Sequence, residues 1–240
     1  NPEPLKQHLT DLSEKVISSN ADFGIAVDPD VDRLAFMDEK GIMFGEEYTL
    51  VACADYILSQ RPGNTVSNLS STRALRDVTK KYGGTYTASA VGEVNVVNAM
   101  KSTNAVIGGE GNGGIIYPES HYGRDALVGV ALFLSLLAER KMAVSALRAS
   151  YPSYFMSKKK IDLNPSINVD AILEAMESKY IHEEISTIDG LKIDFPTEWV
   201  HLRKSNTEPI IRIYTEAPAQ DKADALADKI INEIKKIAGL

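Results

Sequence analysis

The stretch ADFGIAVDPDVDR, Ala21 to Arg33, is where the chain can first be read. Phe23 to Val27 is an apolar run with the length and β-branched content of a buried strand. Three aspartates follow at alternate positions, Asp28, Asp30 and Asp32, and then Arg33. Carboxylates this close repel one another unless a cation sits between them, and an all-oxygen donor set suits a hard divalent ion such as Mg2+. Pro29 fixes one backbone dihedral, which lowers the ordering cost of converging the three side chains. A metal site at the carboxyl end of a strand is the expectation, with a solvated acidic turn as the plain alternative.

Two other readings of these residues are weighed. An EF-hand counted from Asp28 puts Asp30, Asp32 and Glu39 at ligand positions, but Arg33 falls where that loop needs glycine, and the flanking strand is wrong. An aspartyl nucleophile with a second aspartate two residues on would suggest a haloacid-dehalogenase-type phosphatase. That motif wants Thr or Val where Asp32 stands, so the match is partial.

The composition, 44% hydrophobic and 25% charged over 240 residues, is that of a globular protein with ample core. A net charge of -7 disfavours nucleic acid and anionic membrane as partners. The single cysteine, Cys53, lies in an apolar helical run and reads as core filling in a reducing compartment, which points to the cytoplasm. The longest apolar stretch, Ala126 to Ala138, is too short to span a bilayer and reads as a buried helix. Asn1-Pro2-Glu3-Pro4 lacks an initiator Met, which suggests a fragment.

Leu5, Leu9, Leu12, Val16 and Ile17 recur at helical spacing before the first strand. Leu34 to Met37 is a strand, Glu46 to Gln60 a helix, and from Thr65 strands and helices alternate through Ala105 to Gly108. Alternation of this kind argues for a mainly parallel α/β domain that binds ligands beyond the carboxyl ends of its strands. Gly92 and the run Gly108 to Gly114 fall at those ends, and Gly92, just before a helix, can offer N–H groups to an anion. After a linker at Tyr151-Pro152-Ser153, strands at Lys158 to Leu163, Leu191 to Phe195, Glu198 to Leu202 and Ile210 to Tyr214 lie between helices. That order indicates a smaller α+β domain.

Three motifs in order now resemble those of the α-D-phosphohexomutases, the superfamily of phosphoglucomutase, phosphomannomutase and phosphoglucosamine mutase. DPDVDR is similar to the family's metal loop, Gly109-Glu110-Gly111-Asn112-Gly113-Gly114 to its sugar loop, and Arg203-Lys204-Ser205-Asn206-Thr207-Glu208-Pro209 to its phosphate loop. On their own terms, Arg203, Ser205, Asn206 and Thr207 offer convergent donors to a phosphate, and Glu110 can accept from sugar hydroxyls. Arg124 can pair with phosphate, His121 is a further candidate, and Arg212 is a weaker one that also reads as a strand-face charge.

The resemblance implies an α/β chain in three parts. Residues 1–45 would end one mixed α/β domain and carry the metal loop, 46–152 would form a complete phosphohexomutase-type α/β sugar-binding domain, and 153–240 a TBP-like α+β phosphate-binding domain. It implies Mg2+ at Asp28, Asp30 and Asp32, Arg33 steadying the transferred phosphoryl group, and Gly92 and Glu93 in a further substrate loop. Substrate would be a sugar phosphate, and the partner would be the missing N-terminal domains. The family's serine loop, Thr-x-Ser-His-Asn-Pro, does not occur in the 240 residues. Asn112 and Gly114 stand where the usual sugar loop carries Ser and His, and Ser70 stands where phosphomannomutases carry Lys; the variant resembles archaeal-type phosphoglucosamine mutases. A non-catalytic sugar-phosphate or divalent-cation-binding module, or a Mg-dependent phosphatase, are the competing functions.

Overall fold

The structure, a computed structural model, describes residues 3–162, 167–205 and 210–239. The chain divides into two compact units, Asn1–Pro152 and Ser153–Leu240.

A 3-10 turn at Lys6–His8 opens the first unit, followed by α1 (Thr10–Ser19), β1 (Gly24–Val27) and β2 (Leu34–Met37). The two strands pair antiparallel, with Val27 opposite Leu34, so the aspartate loop is the tip of a hairpin. The expectation of a buried first strand fails: Ile25 and Val27 are 39% and 40% exposed. β1 belongs to a two-stranded sheet, and side-chain alternation turns these two residues to its open face. β2 is buried throughout. Phe36 stacks on Phe133 with ring centroids 3.8 Å apart, and Phe44 meets Phe133 edge-on at 5.1 Å. Truncating a buried aromatic of this kind typically costs about 3–5 kcal/mol, so this cluster ties the hairpin firmly to the helix that carries Phe133.

The unit continues with α2 (Glu46–Gln60), β3 (Asn64–Asn68), α3 (Ala74–Lys81), β4 (Tyr86–Ser89), α4 (Glu93–Thr103), β5 (Ala105–Glu110), β6 (Gly114–Ile116), α5 (Ala126–Arg140) and α6 (Val144–Ala149). Their sheet has the order β4-β3-β5-β6. The first three strands run parallel, and β6 turns back antiparallel to β5 across the glycine run. Asn68 and Glu110 therefore share one sheet end, the carboxyl end of the parallel strands. Cys53 is fully buried in α2, and burial pushes its thiol up to about 12, which fits inert core filling. α5, read as a buried helix, is buried on one face: Ala126, Gly129, Leu132, Phe133 and Leu136 face inward while Leu127 and Leu134 are exposed. Asp125 caps it by accepting from the Val128 N–H at 3.0 Å.

In the second unit the elements are β7 (Phe155–Asp162), α7 (Val169–Lys179), β8 (Glu184–Ser186), β9 (Leu191–Asp194), β10 (Trp199–Lys204), β11 (Ile210–Ala217) and α8 (Gln220–Ala238). The sheet order is β7-β11-β10-β9-β8, with every neighbouring pair antiparallel. One face packs Ile161, Ile193, Leu202 and Ile213 against Ile172 and Met176 of α7 and Leu226, Ile230 and Ile234 of α8. Alternation sends Lys160, Arg212 and Arg203, which lie opposite one another in register, to the other face. No described helix is long and apolar enough to cross a membrane.

Candidate functional site

The hairpin tip brings the three aspartates together. One carboxylate oxygen from each of Asp28, Asp30 and Asp32 lies within 4.8 Å of the other two. Asp28 is buried, and its Oδ1 accepts the backbone N–H of Asp32 at 3.0 Å and of Arg33 at 2.9 Å, which curls the loop around it. Burial raises its pKa, but the hydrogen bonds from those two N–H groups and from the Asp32 side chain outweigh it and leave the Asp28 carboxyl below its ordinary value. Asp32 goes the other way: burial and the neighbouring Asp28 and Asp30 charges raise it, against the pull of Arg124. Opposed shifts of this sort are what two neighbouring carboxylates sharing a site produce.

Between these acids Val31 adopts φ 59°, a left-handed conformation that is costly for a β-branched residue. Its carbonyl accepts the Ala126 N–H at 3.0 Å, which fixes the loop to the start of α5. The residues fit a hard divalent cation: all donors are oxygens, and Asp32 Oδ1 is buried with no hydrogen-bond partner among the described residues. Arg33 Nε lies 3.6 Å from Asp28 and 3.8 Å from Asp32, and its Nη1 pairs with Glu3.

Beside this loop stands the glycine run that closes β5. Glu110 is buried; its Oε1 accepts from Asn68 Nδ2 at 2.8 Å and from the Gly92 N–H at 3.2 Å. The anion that Gly92 holds is thus a carboxylate of this chain. Asn112 Oδ1 accepts the Gly114 N–H at 3.2 Å and closes the turn.

Arg124 connects the aspartate loop, the start of α4 and the end of β5. Its Nη1 donates to Glu110 Oε2 at 2.9 Å, its Nη2 to Asp32, its Nε lies 3.3 Å from Glu93 Oε2, and its backbone N–H donates to Glu93 Oε1 at 3.1 Å. Asp32, Glu93, Glu110 and Arg124 therefore form one cluster. Sequence reasoning named all four but not their mutual pairing. It missed Asn68 and Ser71, whose hydroxyl accepts the Gly111 N–H at 3.0 Å; their place at the end of β3 and in the turn that follows it, at the carboxyl end of a parallel strand, was the available signal. His121 is exposed, with Nε2 2.9 Å from Asp125 Oδ2.

In the second unit Arg203 Nε lies 2.9 Å from Asp189 Oδ2, and the Ser205 N–H donates to Ile210 O at 3.0 Å. Asn206 and Thr207 lie outside the described residues, as does Leu163 of the expected first strand. Arg212 is exposed and stands directly opposite Arg203, with Lys160 opposite Arg212 on the next strand. Like charges so placed repel, which an anion bound across them relieves.

His201, a residue of β10, is 1% exposed. Its Nε2 is 2.7 Å from the Asp189 carbonyl, which can only accept, so that nitrogen carries the proton. Burial, opposed by this bond and aided by the Lys192 charge, brings His201 from 6.5 to about 4. Above 6.5 both folded and unfolded chains hold neutral imidazole. As pH falls from 6.5 towards 4, the unfolded chain gains a proton that the folded one does not, and stability drops by on the order of 3 kcal/mol. Unfolding followed by the fluorescence of Trp199, the sole tryptophan, reads this change. His201→Gln is expected to lose most of the difference between pH 7 and pH 4.5, and an unchanged difference refutes the assignment.

The residues match family models over nearly their whole length. Phosphoglucomutase/phosphomannomutase alpha/beta/alpha domain II matches residues 1–41, domain III matches 38–154, and the C-terminal domain matches 156–233. The chain is 32% identical over 238 residues to a probable phosphoglucosamine mutase of Methanopyrus kandleri, covering 98% of this chain and 52% of that protein. Over 226 residues it is 36% identical to a phosphoglucomutase/phosphomannomutase of Thermococcus kodakarensis, covering 93% of this chain and 49% of that one. A crystal structure of a phosphoglucomutase/phosphomannomutase family protein from Burkholderia thailandensis is similar over 100% of this chain and 52% of its own, with TM-score 0.84 and 27% identity. The chain spans about half the length of the curated relatives it matches.

Proposed function

Because the chain belongs to the phosphoglucomutase/phosphomannomutase family, we propose that it forms the metal-, sugar- and phosphate-binding portion of a phosphohexomutase that interconverts hexose 6-phosphate and hexose 1-phosphate through a bisphosphate. The single observation that carries this reading is the cluster of Asp32, Glu93, Glu110 and Arg124, which puts the cation loop and the glycine loop within one side chain of each other.

Asp28, Asp30 and Asp32 would hold Mg2+, which when bound neutralises charge on the phosphoryl group being transferred. Arg33 would steady the same phosphoryl group. Glu110 has a lone pair to offer: Oε1 already takes two donors, whereas Oε2 takes one, so a sugar hydroxyl can donate to Oε2. Gly92, Glu93, Asn112 and Arg124 would complete the sugar site, and Arg203, Ser205, Asn206, Thr207 and Arg212 would hold the phosphate not undergoing transfer. The phosphoryl donor would be a phosphoserine from protein sequence beyond these 240 residues. Glucose, mannose and glucosamine phosphates are the substrates to test, and names of the relatives favour glucosamine among them.

Coupled assays of hexose 1-phosphate conversion test this on the 240-residue chain and on a longer product of the same gene. Turnover is expected only from the longer protein and only with Mg2+. Calorimetric titration of the 240-residue chain is expected to show Mg2+ binding that Asp28→Asn weakens at least about tenfold. Release of inorganic phosphate from glucose 6-phosphate by this chain alone, abolished by Asp28→Asn, favours a phosphatase instead. Metal and sugar-phosphate binding with no turnover by the longer protein favours a non-catalytic module.

A further inference from the structure

We propose that Arg124 is a positioning residue that reports the charge state of the aspartate loop to the glycine loop: its guanidinium clamps Asp32, Glu93 and Glu110 together, and a divalent cation at the loop competes with it for Asp32. The inference rests on the metal reading of Asp28, Asp30 and Asp32 and adds a residue and a coupling to it.

The three guanidinium nitrogens go to three carboxylates from three separate segments, the hairpin tip, the start of α4 and the end of β5. One positive charge thus serves three negative ones, in a setting where the Arg124 and Glu110 side chains are 15% and 9% exposed. A fixed planar fork makes such a division possible, since an ammonium is a point charge. Gly114 makes room for it. A Cβ there would lie 2.5 Å from Arg124 Cδ and 3.2 Å from its Cγ, so the aliphatic stem lies across the space that any side chain at 114 would occupy. Asp32 is the one acid that both the arginine and a metal would engage. A cation bound there draws its carboxylate from the guanidinium. Arg124 then has only Glu93 and Glu110, and the turn from Gly111 to Gly114, against which its stem lies, loosens and can admit a polyol.

Mn2+ binding and backbone amide hydrogen exchange on the 240-residue chain test this with wild type, Arg124→Gln and Arg124→Lys. In wild type, saturating Mg2+ is expected to speed exchange at the Gly111 and Gly114 amides by about threefold or more. Both variants are expected to lose that response. Arg124→Gln is expected to bind Mn2+ about fivefold or more tighter, since the competing cation is gone, while Arg124→Lys stays within about twofold of wild type. Metal binding to wild type without a change at Gly111 and Gly114 overturns the inference and leaves the metal site standing, as does a response that survives in Arg124→Gln. Absence of Mn2+ binding to wild type overturns both. Should Arg124→Gln not fold, Arg124→Lys, which keeps charge and stem, makes the same comparison of exchange with and without Mg2+.

Discussion

Alanine in place of Asp55 lowers the stability of the first unit by about 3 kcal/mol. Asp55 sits in the middle of α2, 2% exposed. Its Oδ1 accepts from the Tyr82 hydroxyl at 2.8 Å and Lys81 Nζ at 3.2 Å, and its Oδ2 from the Tyr151 hydroxyl at 3.1 Å and Arg140 Nη2 at 3.2 Å. One carboxylate thereby joins α2 to the ends of α3, α5 and α6. The two cations contribute little of the loss, because their side chains are 57% and 34% exposed and return to water when the acid is removed. Tyr151 decides the magnitude. It is 6% exposed, and burial followed by the charge of Asp55 raises its hydroxyl well above the ordinary value, so it keeps its proton and needs an acceptor. Truncation leaves that donor buried and unsatisfied, at about 1–3 kcal/mol, and removes the Tyr82 bond and side-chain packing as well. Asp55→Asn keeps the shape and one acceptor, so it is expected to cost about half as much. Urea unfolding followed by far-ultraviolet circular dichroism measures both. A loss below about 1 kcal/mol for Asp55→Ala refutes the account.

Tyr151 also shows where a linear reading stops. It looked like linker from its neighbours Pro152 and Ser153, yet its side chain closes a polar knot 96 residues from its partner. Patterns with a short period were legible. The Asp28, Asp30, Asp32 alternation, the buried parallel strands β3 and β5, and the amphipathic α8 each repeat over a few residues, and local sterics and burial set them. Features set by tertiary contact were not. The three-residue strands β6 and β8 and the six-residue α6 are too short to carry a period. Ile25 and Val27 have the composition of buried residues and are exposed, because burial depends on what covers the strand. Of the candidate site, Asp28, Glu110 and Arg124 could be named from residue type, but the pairing of Arg124 with three acids depends on segments 31 and 92 residues away meeting in space. The left-handed Val31 had no sequence signal, since valine is among the residues least suited to that conformation.

Gly113→Ala is expected to damage the first unit severely, although it adds a single methyl group. Gly113 adopts φ +83°, and a Cβ there would sit 2.1 Å from the carbonyl oxygen of Leu34 and 3.0 Å from its backbone nitrogen. The Leu34 N–H donates to the Gly113 carbonyl at 3.2 Å, so these two backbones are in direct contact. Neither side can yield cheaply. Leu34 is fully buried and paired with Val27 across the hairpin, and Gly113 lies between β5 and β6. The left-handed conformation alone costs about 1 kcal/mol for alanine. Gly83 isolates that part, with φ +76° and nothing within 4 Å of an added Cβ. Gly83→Ala is therefore expected to cost about 1 kcal/mol and Gly113→Ala about 3 kcal/mol or more, the excess being the clash. The damage should also reach the aspartates, because Leu34 directly follows Arg33 and its displacement opens the hairpin tip. Mn2+ affinity is expected to fall about tenfold in Gly113→Ala and to stay unchanged in Gly83→Ala. Equal stability losses for the two alanines would show that the contact with Leu34 is not rigid. Unchanged Mn2+ affinity in a folded Gly113→Ala chain would show that the glycine run does not hold the aspartate loop in place.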